Sequence, residues 1–314
     1  MAGGNLAAVG ETGFQSGAFL PVVAILALLA VAATPSAARA ADLVDPSANF
    51  QELRQAADLV RQGQPQQAIA KAQLLDQISG GRCGECQVVL AQAYLAAGDR
   101  AQAAAAARSA LAQLSDLDKQ ASTSATLAYS LVDPQDLRGS GLAEAESAVR
   151  QAIDLGTDAR LQSWGFKTLT WILIRREHYG DAVAQARDYL DDNPGGGLAS
   201  YAQRVVCLGR ALGGVGGPDD GAAPAPGKGL ARPQPIFHPA PTYAARARAD
   251  GLHGKVVVQG VVDTEGCLTQ PRVTRGLDAT FDQHVLDTVQ FWTFRPATLG
   301  GRPVPAAYAV TLSY

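Results

Sequence analysis

Gln87-Val-Val-Leu-Ala-Gln-Ala-Tyr-Leu-Ala-Ala-Gly-Asp-Arg100 reads as a helix that stops at a turn. Its apolar residues keep helical spacing, and Gly98-Asp99 turn the chain. A second helix is expected from about Ala101 to Leu114, with alanines at 103, 107 and 110. Alanine favours helix and occupies little space, so it suits the faces where two antiparallel helices cross closely. The unit is therefore a helical hairpin with a small-residue seam.

The same arrangement recurs along the chain. Ala56 and Leu59 lead to a turn at Gly63-Gln64, followed by Ala68 and Leu75. Thr126 to Val132 and Leu142 to Leu155 form a third pair, separated by an enlarged turn, Asp133-Pro-Gln-Asp-Leu-Arg-Gly-Ser-Gly141. Leu169 to Ile174, a turn near His178-Tyr-Gly180, and Ala182, Ala186 and Tyr189 form a fourth, closed by Pro194. The equivalent alanines are 68, 103, 145 and 182, spaced 35, 42 and 37 residues apart, and the enlarged turn accounts for the 42. Self-similarity at such a period signals a solenoid.

Ala91, Tyr94, Gly98, Ala103 and Ala110, with Ala182, Ala186 and Pro194 in the last unit, resemble the tetratricopeptide repeat family. No unit carries the full signature. Leu198 to Leu212 reads as a closing helix over the end of the array. The alternative is a generic alanine-rich bundle. The helical domain is expected over 41–212, and 213–235, rich in Gly, Pro and Ala, reads as a linker.

The chemistry of the chain changes in 236–314. Lys255-Val-Val-Val-Gln-Gly-Val-Val-Asp263 is β-branched and strand-like, Thr264-Glu-Gly266 is a turn, and Cys267 to Thr274 reads as the returning strand. Leu277, Phe281, Val285, Leu286 and Val289 mark one face of a helix, with Asp278 at its N-cap position. Trp292 and Phe294 read as core residues, and Ala306 to Tyr314 as a final strand. Strand, strand, helix, strand predicts a three-stranded antiparallel sheet with one helix. The whole chain is then α+β and multidomain, a helical repeat array followed by this small domain.

Pro239-x-Pro241-x-Tyr243, Ala247, Gly251, Gly254-x-Val-Val-Val258, Val262-Asp263-x-x-Gly266, Leu277-Asp278, Trp292-x-Phe294-x-Pro296-Ala297 and Gly301-x-Pro303-Val304 follow in order. As a set they resemble the TonB C-terminal domain family. Ala244 departs from the pattern, because the family usually has proline after the tyrosine. The resemblance implies a periplasmic module that captures an extended segment of an outer-membrane receptor by adding it as a strand to a sheet edge. The last strand is the candidate edge. The candidate partner-binding residues are Tyr308, Val310 and Leu312 on one face and Ala309 and Thr311 on the other. One alternating set is expected to be core, with the backbone edge doing the binding.

Full TonB proteins also keep an N-terminal membrane helix coupled to a proton channel. Here residues 17–38 are uncharged, with an apolar centre from Ala18 to Ala33, and Ala38-Arg39-Ala40 offers a cleavage pattern. Residues 1–40 are expected to be a signal peptide cleaved after Ala40. The alternative is an uncleaved inner-membrane anchor through 17–38. That run holds no histidine or carboxylate, which counts against direct proton coupling.

Composition narrows the function class. Hydrophobic residues are 47%, yet 59 of the 314 residues are alanine and aromatics are only 6%. A net charge of −3 with 18% charged residues argues against a broadly basic nucleic-acid binder. Cys83-Gly-Glu-Cys86 is a C-x-x-C pair at the start of a helix. It reads first as a structural disulfide; free thiols, a redox pair or half of a metal site are the alternatives, with Cys207 and Cys267 as remote further ligands. His178, His238, His253 and His284 show no metal spacing, and no phosphate loop or nucleophile motif is present. No enzyme, cofactor or metal is expected.

The expected protein is therefore a TonB-like periplasmic binder of outer-membrane receptor segments, with a second protein held by the helical repeats. An inner-membrane-anchored energy transducer, a periplasmic assembly scaffold without receptor binding, and a thiol-disulfide enzyme using Cys83 and Cys86 are the alternatives.

Overall fold

The computed structural model describes residues 46–133, 141–218, 223, 229–241, 251 and 253–314. The expected export segment, the centre of the enlarged turn, most of the expected linker and the motif residues Tyr243 and Ala247 lie outside these residues. The chain divides into two compact units between Arg176 and Glu177.

The first unit is helical: α1 (Pro46–Arg61), α2 (Pro65–Ile78), α3 (Gly84–Ala96), α4 (Arg100–Leu111), α5 (Leu117–Leu131), α6 (Leu142–Leu155) and α7 (Ala159–Arg175). Consecutive helices pack against each other, and α1 also packs on α3 and α3 on α5. Neighbour-plus-next-neighbour packing is the pattern of stacked hairpins. Gly98 takes φ 84°, a left-handed conformation that glycine adopts without a Cβ penalty, so α3 ends and α4 begins within three residues.

Aspartates start several of these helices. The Asp99 carboxylate accepts from the Gln102 amide, Asp116 from Lys119, and Asp158 from Arg160 and Leu161. The caps at 116 and 158 explain two differences from the sequence reading. The helices expected near 126–132 and 169–174 begin earlier, at Leu117 and Ala159. The front of α5 is rich in Ser and Thr, which weakens its apolar periodicity. Its hydroxyls turn back on the helix: Thr126 Oγ1 donates to the Ser122 carbonyl and Ser130 Oγ to that of Thr126.

Ala68, Ala103 and Ala145 each stand fourth in the second helix of a hairpin, and each is fully buried. In α4 the residues 103, 107 and 110 have no exposed surface. The seam continues at Gly165, where a Cβ would come within 2.5 Å of Ile153. Arg176 and Arg150 both pair with Glu146, joining the end of α7 to α6. Burial works against the Glu146 carboxylate, but the two arginines hold it below its ordinary pKa.

The second unit contains α8 (Tyr179–Asp192), α9 (Ala199–Gly213) and the C-terminal domain. Ala182, again fourth in its helix, is fully buried. The domain comprises β1 (Leu230–Ala231), β2 (Gln234–Phe237), β3 (Lys255–Val262), β4 (Leu268–Arg275), α10 (Ala279–Val289), β5 (Thr293–Arg295), β6 (Ala297–Leu299), β7 (Arg302–Val304) and β8 (Ala306–Ser313). Its main sheet has the order β4-β3-β8 and is antiparallel throughout.

Residues 230–235 differ from the linker expected there. Leu230 and Ala231 pair with Leu299 and Thr298, and Gln234 and Pro235 pair with Arg295 and Phe294. These strands are too short to show a period and exist because distant backbone completes them. Val256, Val258 and Val262 meet Phe281, Val285, Val289, Trp292 and Phe294 in one core, so Trp292 and Phe294 are core residues. The Asp278 carboxylate accepts from the amides of Thr280 and Phe281, starting α10 where the sequence places it.

The alanine seam makes a direct prediction. Ala107→Leu should lower the stability of the helical unit by roughly 1–3 kcal/mol through overpacking. Ala105→Leu, at an exposed position of the same helix, should change it little. Urea unfolding followed by circular dichroism measures both.

Candidate functional site

Strand β8 lies at one end of the three-stranded sheet, with β3 on its inner side. Its register with β3 runs without a break from Ala306 opposite Val262 to Ser313 opposite Lys255. One step further, Gly254 and Tyr314 exchange both backbone bonds, at 3.1 and 3.0 Å. In an antiparallel ladder such bonded pairs alternate with unbonded ones. The pairing therefore assigns every backbone group on β8. Residues 306, 308, 310 and 312 turn their N–H and C=O groups inward to β3. Ala307, Ala309, Thr311 and Ser313 turn theirs outward.

Side chains follow the other alternation. Tyr308, Val310, Leu312 and Tyr314 are half-buried against the core. The Phe281 ring meets that of Tyr314 edge-on at 4.6 Å, and Tyr308 meets Phe294 at the same centroid distance. Burial pushes both phenols up, Tyr314 to about 12. Ala307, Ala309, Thr311 and Ser313 are exposed. The same residues that hold the outward backbone groups thus have small side chains in solvent.

The two edges of the sheet differ. On β4 the pairing shifts register twice, Gln270 takes a left-handed φ of 48°, and Pro271 has no amide hydrogen. Arg272 and Arg275 are exposed there. Bulges, proline and cations are the usual means by which an edge resists another strand. Strand β8 has no proline, no charge and no register shift. Among the described residues no strand pairs with its outer side.

The five residues singled out from sequence thus fall on one strand but play two roles. Tyr308, Val310 and Leu312 support the core and spend their backbone bonds on β3. Ala309 and Thr311 present theirs at the edge. Ala307 and Ser313 belong with them, and nothing in their local sequence marks either one, because the phase of the ladder depends on the partner strand.

Cys83 and Cys86 form a disulfide across the first turn of α3, and Cys207 and Cys267 form another. Asp263, Glu265 and Cys267 cluster closely enough to suggest a metal site. Cys267 is in the disulfide, however, and Arg210 donates to both carboxylates. The cluster is an ion-pair node.

Residues 239–314 match the family described as Gram-negative bacterial TonB protein C-terminal. The match covers the main sheet, α10 and the short strands β5 to β7. The similarity is therefore to a TonB-type domain of the cell envelope, and it is confined to this C-terminal part of the chain. No curated protein matches the chain. Among the described residues no helix is long and apolar enough to cross a membrane.

The ladder phase can be checked by proline. Val310→Pro removes the amide that Val258 uses and should destabilise the domain by roughly 1–3 kcal/mol. Thr311→Pro removes an outward amide and should leave the thermal midpoint close to that of the parent, by calorimetry.

Proposed function

We propose that the chain is a TonB-like periplasmic protein that captures an extended segment of an outer-membrane receptor on β8. The observation that carries this reading is the contrast between the two sheet edges. An unbroken, uncharged, proline-free edge with the backbone groups of four residues turned away from β3 accepts a strand without distortion. The small exposed side chains of Ala307, Ala309 and Thr311 leave room for an incoming backbone at ordinary strand spacing. The helical array, with its stacked hairpins, holds a second protein.

Titration calorimetry with an extended receptor peptide tests the edge. Thr311→Pro should weaken binding at least about tenfold, which is about 1.4 kcal/mol. Thr311→Val keeps the amide and should bind as the parent does. A folded Thr311→Pro variant with unchanged affinity would mean that the segment is held elsewhere.

The periplasmic location is supported by the apolar run from Ala18 to Ala33 with Ala38-Arg39-Ala40 behind it, and by two disulfides, which persist in oxidising compartments. Mass spectrometry of the protein from envelope fractions should find Ala41 at the mature N-terminus. An intact 1–40 segment would favour the anchored energy transducer.

A further inference from the structure

The family match begins at residue 239, and the sequence reads as though a tether joins that domain to the helices. The second unit shows a different connection. Cys207 of α9 is bonded to Cys267, at the start of the strand that returns from β3, across 60 residues of chain. Both cysteines are buried, with 2% and 3% of their surface exposed.

The bond does not stand alone. Arg210, one turn further along α9, donates from Nη1 to Asp263 at 2.6 Å and to Glu265 at 2.7 Å. Arg187 of α8 donates to both Glu265 oxygens, from Nε to Oε1 at 2.6 Å and from Nη2 to Oε2 at 3.0 Å. Gln203 of α9 donates to the carbonyls of Glu265 and Phe294, at 2.9 and 2.6 Å. The Asp263 carboxylate also accepts from the amides of Glu265 and Cys267. Gly266 fits beneath this contact only as glycine: its φ is 77°, and a Cβ would lie 2.0 Å from the Phe294 carbonyl and 2.1 Å from Gln203 Nε2.

Asp263, Glu265, Gly266 and Cys267 of the turn between β3 and β4 each meet the α8–α9 hairpin. Burial alone would push the Asp263 carboxyl up, and it does so here in spite of Arg210 and the Cys267 amide. An unpaired carboxylate at this depth is costly, so the turn depends on the arginine from α9.

We propose that the α8–α9 hairpin is a permanent part of the C-terminal module, and that the Cys207–Cys267 bond closes the chain between them into a covalent loop. A strand held on β8 passes load through β3 and the turn to Cys267, and from there directly into α9. The inference is independent of what β8 binds.

A nicking experiment on the full chain tests it. A protease recognition sequence is inserted after Pro218, in a Cys83→Ser, Cys86→Ser background that leaves Cys207 and Cys267 as the remaining cysteines. After cleavage the two fragments should migrate as one species on a denaturing gel without reductant and separate when reductant is added. Separation without reductant overturns the closed loop. The ion node is tested by hydrogen exchange on the intact chain. Arg210→Ala should speed exchange of the Gly266 and Cys267 amides by at least about tenfold, because the turn loses the partner of its buried carboxylate. Unchanged exchange at those amides overturns the role given to α9.

Discussion

Among the described residues strand β8 pairs on one side only, with β3, and much of the C-terminal module follows from that ladder. Strand β3 is paired on both sides and contributes Val256, Val258 and Val262 to the core. It can be central because β4 and β8 flank it. Being last in the sheet, β8 has half of its backbone groups facing out. Its even-numbered side chains lock the register by burying Tyr308, Val310 and Leu312, since a one-residue slip would turn them to solvent. The core thus decides which backbone groups face the edge. Packing and binding are two consequences of one alternation.

The helical unit depends on a different constraint, close approach. Its seam positions are alanine or glycine, and the three equivalent alanines that lie in it, Ala68, Ala103 and Ala145, all lack exposed surface. Alanine buries little area individually, so stability is spread over many crossings. The low aromatic content and the high alanine content describe this unit. The C-terminal domain is built the other way, around Phe281, Trp292 and Phe294.

The ion node links the two kinds of construction within the second unit. Asp263, Glu265 and Gly266 form a tight turn, and Arg187, Gln203 and Arg210 reach it from helices that the sequence counts with the repeats. The family-like part and the helical part consequently share a buried contact. A boundary drawn from sequence resemblance alone passes through the middle of a packed unit.

Local chemistry made a good part of this legible in advance. Asp278 before an apolar-periodic run marks α10, Gly98 marks a helix end, and repeated alanines mark the hairpins, because caps, left-handed turns and helix crossings are decided by residues within a few positions of each other. The same logic placed β3 and β8 and the core roles of Trp292 and Phe294. Strands β1 and β2, the pairing of Cys207 with Cys267, the arginines at the β3–β4 turn and the outward phase of Ala307, Ala309, Thr311 and Ser313 were decided by tertiary structure. Each depends on a partner tens of residues away, and a backbone group or a lone cysteine carries no mark in its own neighbourhood of what it will meet.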